Sequence, residues 1–240
     1  MIQKIFKLYT IVYLIISFNN QNLLAKSICV KNSTLINKKM NIDIEYPQIN
    51  VPSKLNIAIN KLINEEKSFY LKYLNYNYPH KNTQEVYQNS SLNISSNIAY
   101  QTPNFISLAV YSTNSVYGSA HGSDNVTAFN YIAAQDKILS IQDCFRPKTN
   151  YLTTIKNLAA ADLARQLAKD KTFNINTIST LIEAKNETFR NFTLTRTSII
   201  IYFNEYEVLP YFMGIQKVNI DLKSLTKYVR PEILAILHGH

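Results

Sequence analysis

Side chains able to act on a ligand gather in two stretches of this 240-residue chain. The first is Tyr117-Gly118-Ser119-Ala120-His121-Gly122, where small residues let the backbone approach a partner closely or adopt positive φ. His121 then either faces a ligand as hydrogen-bond donor or acceptor, or caps strand ends and packs beneath the turn. The second stretch runs from Tyr202 to Phe212 and holds Glu205, Tyr206, Glu207, Pro210 and Tyr211. Tyrosine and proline on a loop offer rigid, amphipathic contact area at low entropic cost, which suits protein or glycan recognition. Glu205 and Glu207 could meet a basic partner, while Tyr206 has an alternative use as a core aromatic that fixes register.

Catalytic arrangements are thin. A thiol nucleophile would pair Cys144 with His121, but Cys144 falls in an acidic-aromatic turn and could be oxidised. His121 with Asp124, or His238 with His240, supplies fewer ligands than a structural zinc site requires. Glu183 and Glu187 lie one helical turn apart, a spacing common on solvated faces. We assign no catalytic residue, and nothing in the chain implies a metal or other cofactor. Cys29 and Cys144 form either one disulfide or two unrelated buried thiols, the disulfide being expected in an oxidising compartment.

These loops must hang on a scaffold. Ile42, Ile44 and Tyr46 alternate as a strand ending before Pro47, and Pro52-Ser53 opens an amphipathic helix with Asn50 or Ser53 as its cap. Leu55, Ile59, Leu62, Phe69 and Tyr73 form its apolar stripe, and the tyrosine-rich run from Tyr73 to Gln84 breaks it. Leu92, Ile94, Ile98 and Tyr100 mark one face of a strand. Phe105 to Ser112, apolar on both faces, reads as a central strand covered by a helix. Two shorter strands follow, joined by a turn at Gln135-Asp136, then a second helix from Tyr151 to Ala168 with Leu152, Ile155, Leu158, Leu163 and Leu167 facing the core. A short helix near Ile178 to Ala184, three strands and a terminal helical segment complete the chain. Strands in runs, without strand–helix–strand alternation, predict an α+β fold: a mainly antiparallel sheet packed against two long helices.

Lys4 and Lys7 precede an apolar run from Leu8 to Phe18, the charged and hydrophobic parts of an export signal, with cleavage after Ala25. The run is shorter than the roughly 20 residues of a membrane span, and an uncleaved anchor is the alternative. Residues 1–25 are thus expected to be a leader, residues 26–104 a small N-terminal α+β domain and residues 105–240 a C-terminal domain. The hydrophobic content of 46% supports a sizeable core, and the net charge of +9 favours anionic partners. No arginine cluster or basic-aromatic stripe points to nucleic acid.

Two segments carry a resemblance. Val110–Phe145 places a strand, the Gly-x-Ala-His-Gly loop, a return strand and an acidic-aromatic stop in sequence, and Ile199–Leu225 contains F-x-x-Y-x-V-x-P-Y-x-x-G. Together they resemble the RsiV-like extracytoplasmic domain family, shared by a lysozyme-sensing anti-sigma factor, the non-catalytic part of a peptidoglycan deacetylase and secreted mycobacterial antigens. The chain departs from that pattern at Asn130, where an acidic residue is usual, and in reading Tyr117-Gly118-Ser119 where a double glycine is common. The resemblance implies an RsiV-like two-part unit acting as a periplasmic or secreted binding module. Its partner would be a protein such as lysozyme, or peptidoglycan, with no membrane span once the leader is removed. A cell-wall hydrolase or esterase and a structural envelope protein are the competing readings.

Overall fold

A computed structural model describes residues 30–50, 52–79, 83–167 and 185–238. The leader, Cys29, the segment around Ile178 to Ala184, Glu183 and His240 lie outside the described residues.

Polypeptide hydrogen bonding builds two sheets rather than one. Strands β1 (Val30–Asn37), β2 (Ile42–Ile49), β3 (Ser91–Thr102), β4 (Phe105–Ser115), β5 (Ser123–Ile132) and β6 (Lys137–Ile138) form the first, in that spatial order. All neighbours are antiparallel except β2 and β3, which run parallel where Ile42–Ile44 faces Leu92–Ile94. Strands β7 (Phe192–Leu194), β8 (Ser198–Phe203) and β9 (Gln216–Asp221) form an antiparallel second sheet. Four α-helices stand among the described residues: α1 (Lys54–Asn77), α2 (Thr83–Gln88), α3 (Tyr151–Leu167) and α4 (Pro231–His238). The α+β class holds, but the single sheet on two long helices is corrected to a mixed six-stranded sheet, a three-stranded sheet and helices of 24, 6, 17 and 8 residues.

Strand β4 sits at the centre because both its faces are apolar. Ile106, Leu108 and Val110 join the core beneath α1, whereas Phe105 joins the core shared by the second sheet, α3 and α4. The boundary expected at residues 104/105 falls in the turn between the paired strands β3 and β4, so the first sheet draws on both halves. Strand β2 runs through Pro47, which lies beyond its short contact with β3, an edge position where a missing N–H is tolerated. Ile98 is 37% exposed, unlike the buried Leu92 and Ile94, and the register of β3 shifts between Ile98 and Tyr100, beyond which Tyr100 packs against the core of the second sheet.

Helix α1 starts as the sequence predicts. The Ser53 hydroxyl accepts from the Asn56 N–H at 3.1 Å, and the Lys54 N–H donates to Asp136 Oδ1 at 2.8 Å across the β5–β6 turn. The second half of the helix differs. Its buried side chains are Leu55, Ile59, Ile63, Tyr70 and Leu74, while Phe69 is 62% and Tyr73 39% exposed. The expected stripe slips by one residue after Ile59, where Ile63 is buried in place of Leu62, and the Glu66 carboxylate on the next turn accepts from the buried Ser112 hydroxyl at 2.8 Å. Tyrosine residues do not break the helix at Tyr73; it ends at Asn77, with Tyr78 as its C-cap.

Two buried polar groups lock the interior. Asn130 is 1% exposed, accepts from the Ser107 hydroxyl at 2.8 Å and the Leu194 N–H at 3.1 Å, and donates to the Phe192 carbonyl at 2.7 Å. It thereby joins β4, β5 and β7 across the two sheets. Asp162, turned inward on α3, accepts from Arg165, from Gln166 Nε2 at 2.8 Å and from the Asn219 N–H of β9 at 3.2 Å. Burial alone would raise the Asp162 carboxyl, but these hydrogen bonds and the Arg165 charge outweigh it and hold the pKa below the usual range.

Candidate functional site: two loops meeting on an aromatic face

The β4–β5 loop is shaped from below. Gly118 adopts φ +74°, and a Cβ there would lie 2.6 Å from the Tyr78 hydroxyl. That hydroxyl donates to the Tyr117 carbonyl, while the Tyr117 N–H donates to Ser90 Oγ at 2.9 Å and its ring meets Tyr78 edge-on at 5.7 Å. Tyr117 and Gly118 therefore anchor the loop to the end of α1 and the start of β3. A Cβ on Gly122 would stand 2.7 Å from the Asn114 carbonyl oxygen, so close strand approach requires glycine at that position as well. The Ser119 hydroxyl contacts the carbonyls of Val116 at 2.6 Å and His121 at 3.0 Å, which ties it to the turn.

His121 is exposed at the top of this loop, so it does not pack beneath the turn. Its Nδ1 lies 2.7 Å from the Gly122 carbonyl, a contact that requires the proton on Nδ1 and leaves Nε2 as the acceptor of the neutral ring.

The β8–β9 loop meets it from the second sheet. Asn204 Oδ1 accepts from the Val126 N–H at 2.7 Å, pinning the start of the loop to β5. The Asn204 N–H donates to Glu207 Oε2 at 2.9 Å and the Glu207 N–H donates back to the Asn204 carbonyl at 3.1 Å. This reciprocal closure, with the Arg190–Glu207 ion pair, holds Tyr206 at φ +65°, a conformation rare for a bulky residue. Val208 and Leu209 then plug into the core, and Pro210 opens a 3₁₀ turn over Tyr211–Met213.

These constraints stack three rings. His121 lies on Tyr211 with centroids 3.9 Å apart and planes 22° from parallel, and Tyr206 lies beyond Tyr211 at 5.9 Å and 27°. Tyr206 is 67% exposed, which corrects its alternative use in the core; the buried aromatics of this segment are Tyr202 and Phe203. Phe212 is 71% exposed beside them. Pro210 is exposed and Glu205 half-buried on the same loop. The structure thus brings together His121, Tyr206 and Tyr211, and gives Tyr117 and Gly118 a supporting place.

A cleft of about 200 Å³ opens beside His121, bounded by Ser119, Gly122 and Asn114 and by Phe69, Tyr70 and Tyr73 of α1. A wider groove of about 690 Å³ continues along β5, past Glu65, Glu66 and Phe69 to Arg190 and Asn204. The contribution of α1 was not legible in the sequence, where Phe69 and Tyr73 fit an apolar stripe.

The remaining candidates lie elsewhere. Among the described residues Cys144 has no disulfide partner; it is buried, its Sγ contacts the Ser140 carbonyl at 3.7 Å, and burial pushes the pKa of its thiol far up, which suppresses the nucleophilic thiolate. Cys29, its expected partner, is outside the described residues. Among the described residues no three His, Cys, Asp or Glu side chains group as metal ligands, and no helix is long and apolar enough to cross a membrane.

The fold and this site define a class: a two-sheet α+β domain with an exposed aromatic face where two loops meet. Residues 142–223, which include most of the closing segment from Ile199, match the family described as "Protein of unknown function (DUF3298)". The sequence is 26% identical over 210 residues to peptidoglycan-N-acetylmuramic acid deacetylase PdaC of Bacillus subtilis (strain 168), covering 85% of this chain and 42% of the relative. It is 34% identical over 109 residues to an esterase of Mycobacterium tuberculosis, covering 45% of each chain. The chain spans less than half the length of these relatives. In three dimensions it is similar to a DUF3298 family protein from Pseudomonas aeruginosa PAO1, with a TM-score of 0.61 at 15% identity over 88% of this chain and 98% of that one. A second member, from Bacteroides fragilis NCTC 9343, gives a TM-score of 0.54 at 15% identity over 88% and 95% of the two chains. These structural likenesses establish a shared fold.

Proposed function

We propose that this chain is an RsiV-like extracytoplasmic binding module that recognises a cell-wall glycan through the face built on His121, Tyr206 and Tyr211. The observation that carries this reading is the ring stack, 3.9 Å between His121 and Tyr211 and 5.9 Å between Tyr211 and Tyr206. Flat exposed rings present apolar faces to the C–H faces of sugars, and His121 Nε2 supplies an acceptor for a sugar hydroxyl. The relative named as a peptidoglycan deacetylase supports a cell-wall setting, and the positive net charge suits an anionic polymer.

Purified protein is expected to bind isolated peptidoglycan saturably, and Tyr211→Ala is expected to weaken that binding by about tenfold, about 1.4 kcal/mol. Tyr211 is only partly buried, so the same substitution should change stability by no more than about 1 kcal/mol. Absence of saturable binding to peptidoglycan overturns the reading. A basic protein such as lysozyme is the second reading, favoured by Glu205 on the loop that carries Tyr206; saturable lysozyme binding without glycan binding would replace the first.

A further inference from the structure

The one-residue slip in α1 turns Phe69 and Tyr73 outward, where they join the exposed Tyr76. Phe69, Tyr73 and Tyr76 follow at spacings of four and three, so they share one helical face that extends about 10 Å along the axis. Phe69 is 62%, Tyr73 39% and Tyr76 82% exposed, and the Phe69 and Tyr73 rings lie 6.4 Å apart. With Lys72 and Asn77 they bound a cleft of about 440 Å³. Phe69 and Tyr73 also form the α1 wall of the 200 Å³ cleft at His121, and Phe69 reaches the 690 Å³ groove along β5. Phe69 therefore joins three depressions, and Tyr73 joins two of them.

We infer that the Phe69–Tyr73–Tyr76 ridge extends the His121–Tyr211 face into a track that holds several consecutive sugars of an anionic cell-wall glycan strand. This inference rests on the glycan reading above and deepens it, from a contact patch to an extended polymer site. The lining chooses the occupant. The exposed lining of the α1 cleft consists of aromatic rings, the Asn77 amide and the Lys72 ammonium. The His121 cleft adds the Asn114 amide and the hydroxyls of Ser119 and Ser123. Flat rings interleaved with amides and hydroxyls match pyranose faces and their hydroxyl rims. Among the described residues no ion pair engages Lys72, which gives the track a cation for a carboxylate carried on the sugar chain. The ridge is longer than one pyranose ring, so a single sugar cannot fill it together with the His121 cleft.

Calorimetric titration with a disaccharide and an octasaccharide of alternating N-acetylglucosamine and N-acetylmuramic acid tests this. The octasaccharide is expected to bind about tenfold more tightly, because additional subsites act at high effective concentration. Tyr76→Ala with Lys72→Ala, two exposed residues that line the α1 cleft and not the His121 cleft, is expected to erase that preference while leaving disaccharide affinity and the thermal melt unchanged. Lys72→Gln is expected to weaken the octasaccharide about threefold and to flatten its salt dependence. Equal affinity of the wild type for both saccharides, or a length preference that survives the double substitution, overturns the track and leaves the glycan reading standing. Binding of neither saccharide removes both. Adsorption of the protein to anionic phospholipid vesicles, lost in the double variant while saccharide binding persists, assigns the ridge to a membrane surface and overturns the track.

Discussion

Asn130 and His121 belong to the same strand–loop–strand unit, and the fold uses them in opposite ways. Asn130, at the far end of β5, is enclosed between the sheets with its amide oxygen and nitrogen both engaged. His121, at the near end, is exposed, stacked on Tyr211 and borders an open cleft. A polar side chain whose donors and acceptors are all satisfied inside the protein has nothing left to offer a ligand. One held by its neighbours but facing solvent does. The contrast separates the joint of this molecule from its contact face, although both lie within the segment that carries the family resemblance.

The largest effect that can test this contrast is at the joint. Asn130→Ala leaves the Phe192 carbonyl without its donor in a buried site, and is expected to destabilise the fold by about 3 kcal/mol in urea unfolding. Glycan affinity of the folded fraction should remain that of the wild type. A loss of affinity without a loss of stability would break the assignment.

Asp162 gives the next effect and fixes its sign with pH. Its folded pKa lies below the unfolded value of about 3.9, so its stabilisation is present above about pH 4 and is lost as pH falls through the folded value. Asp162→Asn is expected to cost about 2 kcal/mol at pH 7. The deficit relative to wild type should shrink as acid is added, as urea unfolding at pH 7 and pH 3 would reveal.

The loop beneath His121 should respond more weakly. Gly118→Ala forces a side chain into positive φ and against the Tyr78 hydroxyl, with an expected cost of about 1–2 kcal/mol, read as a lower Tm. Binding should weaken with it, since the loop that carries His121 must move.

The smallest stability change, with a reversed sign, is expected on the contact face. Tyr206→Gly relieves the positive φ and should leave stability unchanged or raise it by up to about 1 kcal/mol, while weakening glycan binding. A variant that is both more stable and a weaker binder would show strain retained for contact; equal binding would remove Tyr206 from the face.

Much of the scaffold was legible because local patterns specify it. The Ser53 cap, the two-faced apolar run of β4 and the turn at Asp136 all depend on neighbours in the chain and stand where the sequence puts them. Strand β1 was missed because VKNSTLIN lacks a clean alternation and is set by its pairing with β2. The α1 register was misread because Phe69 and Tyr73 suit a buried stripe as well as Tyr70 and Leu74 do. Only the cross-chain hydrogen bond between Glu66 and Ser112 and the packing of Tyr70 and Leu74 beneath the helix distinguish the two.

The sequence by itself determined the fold class, the central strand, the two loops and the residue types they offer. Tertiary structure decided which of those residues meet. His121 and Tyr211 are 90 positions apart, and their stacking depends on Asn204 pinning one loop to β5 while Tyr78 supports the other. Periodicity records how a side chain alternates along its own element. It carries no information about which side chain from a distant element will arrive above it, and that juxtaposition makes the face.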